Sequence, residues 1–218
     1  GPAVRVLRVG GRHPRREPAR YPLTGSVPAG VGAAAPTQVT TVTVVGDMML
    51  GRRVGRVLAA QDDFAAALRP TRRRLAGADL TVGNLESTLS QAGAPRQGND
   101  SFAADPGVLA GLRDAGFDVL SLANNHTGDY GPTALIETVE RVADAGILPV
   151  GAGRNVSAAR EPAIVERNGI RFGFLAFNAI GETPAPGSES PGAVRIRMQP
   201  RTGPLNAADL RAMRASIR

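Results

Sequence analysis

Short apolar runs alternate with amphipathic stretches along most of this chain. Residues 41–45 are β-branched and apolar throughout, a pattern that predicts a fully buried strand. Similar runs predict three more strands, at 80–82, 117–122 and 147–150, and helical spacing predicts helices at 52–60, 63–75, 105–115 (with Asp105 as N-cap) and 132–145. Strands that alternate with helices predict βαβ units and a mostly parallel sheet, so we expect an α/β fold.

The last third of the chain carries a hairpin signal and a terminal helix signal. Residues 163–165 and 170–177 predict two strands that are joined by a tight turn at 168–169, which is Asn-Gly. From Asn206 an amphipathic pattern predicts a helix that reaches Arg218 without a C-cap. Because the alternation would place a strand next, we expect the parent protein to continue beyond Arg218 and the fold to be incomplete at that side.

The composition divides the chain into two parts. All 26 residues counted as Lys or Arg are Arg, and residues 1–38 hold six of them against the single acid Glu17. This segment is rich in Pro, Gly and Ala and has no hydrophobic periodicity, so we predict a flexible leader at 1–38 and the N-terminal part of a folded domain at 39–218. The pair Arg15-Arg16 lacks a following apolar stretch, and we expect no export signal there.

Several functional classes are excluded by what the chain lacks. It has no Cys, which excludes disulfide scaffolds and thiolate metal sites, and it has no Lys, which excludes a P-loop. No apolar run approaches the roughly 18 residues of a membrane span. Arg72, Arg73 and Arg74 form a short basic cluster without a flanking aromatic residue, so we predict a solvated helix face and no nucleic-acid partner. The Gly151-Ala-Gly153 run lacks the third glycine and the acid of a dinucleotide site.

Polar residues follow the predicted strands at the points where the strands end. Because ligands of open α/β sheets bind at the carboxyl ends of parallel strands, we expect these tips to meet at one rim. Carboxylate, amide and imidazole groups gathered there suit a divalent cation such as Mg²⁺, Mn²⁺ or Zn²⁺. The residues at these tips are Asp47, Asn84, Glu86, Asn124, Asn125, His126, Arg154 and Asn155.

Each tip residue also has an ordinary structural interpretation. Asp47 could cap the next helix, and Glu86 could be a solvated loop acid. The Asn124-Asn125 pair could serve as turn residues. His126 could form a structural hydrogen bond with Asp129. The metal hypothesis depends on all of them falling at strand ends.

Four of these segments together resemble a known family. The runs 45–52 (VGDMMLGR), 84–86 (NLE), 121–131 (SLANNHTGDYG) and 151–155 (GAGRN) are similar to the capsule-biosynthesis CapA family, which is named for poly-γ-glutamate capsule synthesis. That family in turn resembles the calcineurin-like metallophosphatases. The resemblance covers 39–218 and implies a layered α/β/β/α sandwich with a two-metal site.

The resemblance implies roles for individual residues. Asp47, Glu86 and Asn125 match metal ligands, and His126 matches the histidine that protonates the leaving group or stabilises the transition state. Arg52, Asn84, Asn124, Arg154 and Asn155 are our candidates for holding an anionic substrate. The chain departs from the phosphatases at Met49, where they carry a histidine, and their later His motifs would fall beyond Arg218.

The expected function is a metal-dependent hydrolase that acts on a phosphoester or a related anionic substrate, in a bacterial capsule pathway at the cell envelope. Two alternatives stay open. One is a non-catalytic accessory subunit that binds an anionic polymer within a membrane capsule-synthesis complex. The other is an amidase that cuts γ-glutamyl bonds with the same metal site.

Overall fold

A computed structural model describes residues 39–198 and 203–217; the predicted leader at 1–38 lies outside the described residues. The helices are α1 (Arg52–Ala60), α2 (Arg69–Leu75), α3 (Val108–Asp114), α4 (Pro132–Asp144), α5 (Val156–Ala159) and α6 (Ala207–Ala215), with a 3₁₀ turn at Gly98–Asp100. The strands are β1 (Val42–Met48), β2 (Leu80–Leu85), β3 (Val119–Ser121), β4 (Leu148–Val150), β5 (Ala152–Gly153), β6 (Ala163–Arg167), β7 (Ile170–Phe174) and β8 (Gly192–Ala193).

A parallel sheet of four strands in the order β1-β2-β3-β4 forms the centre of the fold. The predicted α/β class and the mostly parallel sheet are therefore confirmed. β6 and β7 form a separate antiparallel hairpin, and β5 pairs with β8. The hairpin turn at 168–169 has positive φ at both residues, 50° and 76°, as the Asn-Gly sequence predicts.

The two faces of the sheet bury different partners. One face packs against the helices, and its core contains Leu85, Leu120 and Leu122 together with Leu112 of α3 and Leu135 of α4. The opposite face packs against the β6–β7 hairpin. Strands β2, β3 and β4 and the hairpin together form a smaller apolar cluster there, which contains Leu80, Val119, Val150, Ala163 and Val165. Helices, sheet and hairpin thus form the first three layers of the sandwich that the resemblance implied.

The prediction that the first strand is fully buried is wrong. β1 lies at the edge of the sheet, and its Val42 and Val44 side chains are 42% and 71% exposed. Both face the hairpin side, but the hairpin packs on the three other strands. Val45 and Met48 pack against the helix-side core, so β1 is anchored by one face only.

Two predicted helix starts are also displaced. The helix predicted at 63–75 begins only at Arg69. Pro70 has no backbone N–H to donate, so a helix accepts it in its first turn and not in its interior. Asp105 is not the N-cap of α3. Its Oδ1 accepts a hydrogen bond from the Gly107 N–H (2.7 Å), Gly107 is the N-cap, and the helix begins at Val108. Asn206 does cap α6, accepting from the N–H groups of the next turn. Within the described ranges, no helix has the length and apolar character that crossing a membrane requires.

Candidate active site

A bulge in β1 positions Asp47. Val44 pairs with Val82, but the next pair in register is Asp47 with Asn84, so β1 holds one more residue than β2 between these points. A bulge of this kind re-aims the side chains that follow it. As a result the Asn84 Nδ2 group donates a hydrogen bond to Asp47 Oδ1 at 2.8 Å.

An amide relay joins the ends of three adjacent strands. Asn124, which follows β3, donates from Nδ2 to Asn84 Oδ1 (3.0 Å) and to the Leu85 carbonyl (2.9 Å). Its own Oδ1 accepts from the backbone N–H groups of His126 and Thr127 (3.0 and 2.9 Å). The relay therefore runs from the buried loop after β3, through β2, to the carboxylate on β1.

Glu86 lies at the same rim, one residue beyond β2. Its side chain is largely buried, with 17% exposed, and Oε1 lies 3.9 Å from His126 Nε2. Burial raises the pKa of the Glu86 carboxyl, and the negative charge of Asp47 and a hydrogen bond with it raise the pKa further, while His126 opposes the shift. Asp47, Glu86 and His126 are therefore brought together, as the sequence predicts.

His126 is held in place from several sides. Its Nδ1 lies 2.8 Å from Oδ2 of Asp129, a side chain that is fully buried. Asp129 also accepts from the Phe102 N–H (2.6 Å) and from the Gln97 amide. The Phe102 ring stacks on the imidazole at 3.7 Å between centroids, with 12° between the planes. Because the carboxylate engages Nδ1, Nε2 is the nitrogen that faces Glu86.

The rim offers some of the donors that a divalent cation needs. Asn125 Oδ1 is buried and has no hydrogen-bond partner, and a cation would satisfy such an orphaned acceptor. The two neighbouring acids Asp47 and Glu86 favour a positive charge between them. Among the described residues, however, no three His, Cys, Asp or Glu side chains form a metal-holding group. The donor types present, two carboxylates and an amide oxygen, are those that Mg²⁺ takes, with its other positions left to water.

Ordinary structural roles account for only part of the rim. Asp47 does not cap the next helix, because it lies inside β1 and the residue before α1 is Gly51. The predicted hydrogen bond of His126 with Asp129 is confirmed. It does not compete with a chemical role, since Nε2 remains on the rim side.

The three remaining candidates occupy different places. The Arg52 guanidinium lies over the Phe102 ring, 5.4 Å from its centroid, and so adjoins the rim. Arg154 pairs with Glu140 on α4 at 3.3 Å, and Asn155 caps α5 by accepting from the Ala158 N–H. In the described part of the chain, no hydrogen bond or ion pair joins Arg154 or Asn155 to the other rim residues.

The sequence did not indicate the loop residues that support His126. Gln97 and Phe102 lie in a segment with loop composition, 24 or more positions before the residue they contact. Gly51 permits this contact, because a Cβ there would meet the Ala103 carbonyl oxygen at 2.2 Å. The only available signal was an isolated aromatic residue in a polar loop.

Comparison with known proteins decides the family. The family model described as "Bacterial capsule synthesis protein PGA_cap" matches residues 41–218. The chain belongs to this family. The PGA_cap match begins at the start of β1 and includes every residue of the rim.

Curated relatives carry related names. The chain is 30% identical over 161 residues to the capsule biosynthesis protein CapA of Bacillus anthracis, a match of 69% of this chain and 39% of that protein. It is 28% identical over 147 residues to the PGA biosynthesis protein CapA of Bacillus subtilis, covering 65% and 38%. A probable polyglutamine synthesis accessory protein of Mycobacterium tuberculosis is 38% identical over 89 residues, covering 40% and 23%. The matched part of this chain thus spans at most 39% of the length of these relatives.

Proposed function

We propose that this chain carries the metal-binding rim of a hydrolase that acts on an anionic substrate of the capsule pathway. The observation that supports it most is the meeting of Asp47, Glu86 and His126 at the ends of adjacent parallel strands. The residue before His126, Asn125, carries a buried Oδ1 without a hydrogen-bond partner. Like charges that are partly buried are unfavourable without a counter-charge. A site that keeps them together is therefore arranged for a ligand rather than for stability alone.

Asp47, Glu86 and Asn125 would hold the cation. A divalent ion bound there would supply Lewis acidity toward a phosphoryl or carbonyl oxygen of the substrate. The amide relay would fix the rotamer of Asp47 before anything binds, because Asn84 is itself held by Asn124. Preorganisation of this kind lowers the cost of assembling the site.

His126 would exchange a proton at Nε2. The Asp129 carboxylate at Nδ1 favours the tautomer with the proton on that nitrogen, which leaves Nε2 as the acceptor. Nε2 would accept a proton from the attacking water and pass it to the oxygen or nitrogen of the departing group. Phe102 covers one ring face and excludes water from it.

Metal binding and turnover test the proposal together. Mn²⁺ affinity of the wild type should exceed that of Asp47→Asn, and bis-p-nitrophenyl phosphate hydrolysis should fall in His126→Gln. Asp114→Asn, at an exposed position on α3, is the matched control. Equal Mn²⁺ affinity in Asp47→Asn and Asp114→Asn would contradict the rim as a metal site. A γ-glutamyl peptide as second substrate separates esterase from amidase activity.

A non-catalytic role is the second candidate. Met49 stands where the related phosphatases have a histidine, and the described residues lack a group of three acidic, His or Cys ligands. One relative is named an accessory protein of polymer synthesis. On this alternative the rim binds an anionic polymer or a membrane capsule-synthesis partner without cleaving anything. Binding of polyglutamate by the metal-loaded chain, with no turnover of either substrate, would support it.

A further inference from the structure

A cleft of about 540 Å³ opens beside the rim. It lies between the beginning of α1 and the 3₁₀ turn at Gly98–Asp100, and its lining residues are Met49, Arg52, Arg53, Arg56 and Asn99. Arg52 belongs both to this cleft and to the rim, because its guanidinium lies over the Phe102 ring that stacks on His126. The cleft is therefore a continuation of the candidate active site along α1. We call it the arginine cleft.

The positive charge of the arginine cleft has little compensation. Arg52 faces one acid, Asp100, and its Nη1 lies 4.0 Å from the Asp100 Oδ1, a long separation for an ion pair. Among the described residues, Arg53 and Arg56 form no ion pair. Like charges four positions apart on a helix, as at Arg52 and Arg56, repel each other. The arrangement thus opposes the stability of α1.

The basic cluster on α2 is placed differently. Arg72, Arg73 and Arg74 occupy the last turn of α2, where the helix dipole favours cations. The arginines of the cleft stand in the first half of α1, whose first turn holds no acid and where the dipole disfavours cations. A charge placement that local structure does not explain indicates a ligand.

The spacing indicates the kind of ligand. Arg52 and Arg56 are four residues apart, or about 6 Å along the helix axis, so the charges form a row. Arginines on successive turns can converge on one small anion or hold successive groups of a linear anionic chain, and only the chain would extend from the cleft to the rim. Nucleic-acid grooves also present free aromatic faces for the bases. The cleft lining contains no aromatic side chain, and the neighbouring Phe102 is already stacked on His126.

We infer that Arg53 and Arg56, together with Arg52, form a subsite that binds a linear polyanion next to the bond that the rim would act on. The inference rests on the proposed function only for the position of the bond that would be cleaved. Binding at the subsite requires neither metal nor turnover. Guanidinium groups recognise both carboxylate and phosphate oxygens. Polyglutamate and polyphosphate are therefore the two probes.

Binding is measured by fluorescence anisotropy with each labelled probe, in EDTA, on the 218-residue chain. The double variant Arg53→Ala/Arg56→Ala should bind roughly tenfold more weakly at low salt, since two exposed charge contacts are lost. The double variant Arg72→Ala/Arg73→Ala removes the same net charge on α2 and should bind within about twofold of wild type. The difference should shrink at high salt, where exposed charges are screened.

Equal weakening in both double variants would overturn the subsite, because net charge alone would then explain binding. Stronger binding of a single-stranded oligonucleotide than of either polyanion would overturn the ligand class. Because the probes are measured in EDTA, the subsite stands apart from the proposed hydrolase. A wild-type chain that shows no Mn²⁺ binding and no turnover, but loses probe affinity in Arg53→Ala/Arg56→Ala and not in the α2 control, would support the subsite even as the proposed hydrolase fails. Melting temperatures near wild type show that the arginine variants fold.

Discussion

The buried carboxylate of Asp129 gives the sharpest test of how the site is built. We replace it by alanine. Asp129 is 1% exposed and accepts hydrogen bonds from the Phe102 N–H, the Gln97 amide and His126 Nδ1. Each donor left buried without a partner costs about 1–3 kcal/mol, and two of the three belong to side chains that can turn away. We therefore expect Asp129→Ala to lower the free energy of unfolding by about 4 kcal/mol.

The assay is urea unfolding followed by circular dichroism, with thermal melting as a second readout. For a domain of this size, a loss of about 4 kcal/mol corresponds to a fall of roughly 8–16 °C in Tm. The control is Asp105→Ala, which removes an exposed carboxylate with one backbone hydrogen bond and should cost about 1 kcal/mol. Asp129→Asn keeps one acceptor oxygen and should fall between the two. If Asp129→Ala is no less stable than Asp105→Ala, the three contacts do not hold the site together.

Three further predictions concern Glu86, two glycines and the ion pair at α6. Because the pKa of Glu86 is raised, the folded state holds a proton on this carboxyl at pH values where the unfolded chain has released it. Stability in EDTA should therefore fall as the pH rises from about 4.5 through the raised pKa. Glu86→Gln should flatten that fall when Tm is plotted against pH. Gly93 and Gly146 have nearly equal positive φ, 79° and 80°, but of the two only Gly93 lies where a Cβ would meet a backbone oxygen, at 2.0 Å. Gly146→Ala should lower the free energy of unfolding in urea by about 1–2 kcal/mol, and Gly93→Ala should lower it clearly more. Equal losses in the two variants would refute the steric argument. The Arg197 guanidinium lowers the pKa of Asp209 to about 2, so the pair stabilises α6 above about pH 4 and loses this contribution as the pH falls through 2. Arg197→Ala should therefore lower the free energy of unfolding at pH 7 and have a clearly smaller effect at pH 2, measured by urea unfolding at both values.

The elements that were predicted correctly are those whose signals are local. An apolar run at 147–150, an Asn-Gly turn at 168–169 and an amphipathic run from Asn206 each specify their structure within a few residues. The rim was predictable for a related reason. Parallel strands bring their carboxyl ends to one edge in any order, so Asp47 and Glu86 meet without knowledge of the exact topology.

What the sequence could not reveal depends on neighbours that are distant in the chain. Strand order is absent from local pattern, so the edge position of β1 and the exposure of Val44 were missed. Gly46 inside a strand is a signal for a bulge, but the register shift that turns Asp47 toward Asn84 requires the partner strand. Phe102 reaches His126 only because a loop folds back over it.

The amide relay from Asn124 through Asn84 to Asp47 ties three strand ends into one mechanical unit. Each link has a fixed direction, because each amide NH₂ group donates a hydrogen bond to the next residue toward β1. Local opening at any one strand end must break a link that a neighbouring end also uses. The backbone amides of the three ends should therefore share a common opening free energy in hydrogen exchange, well above that of the outer part of α6.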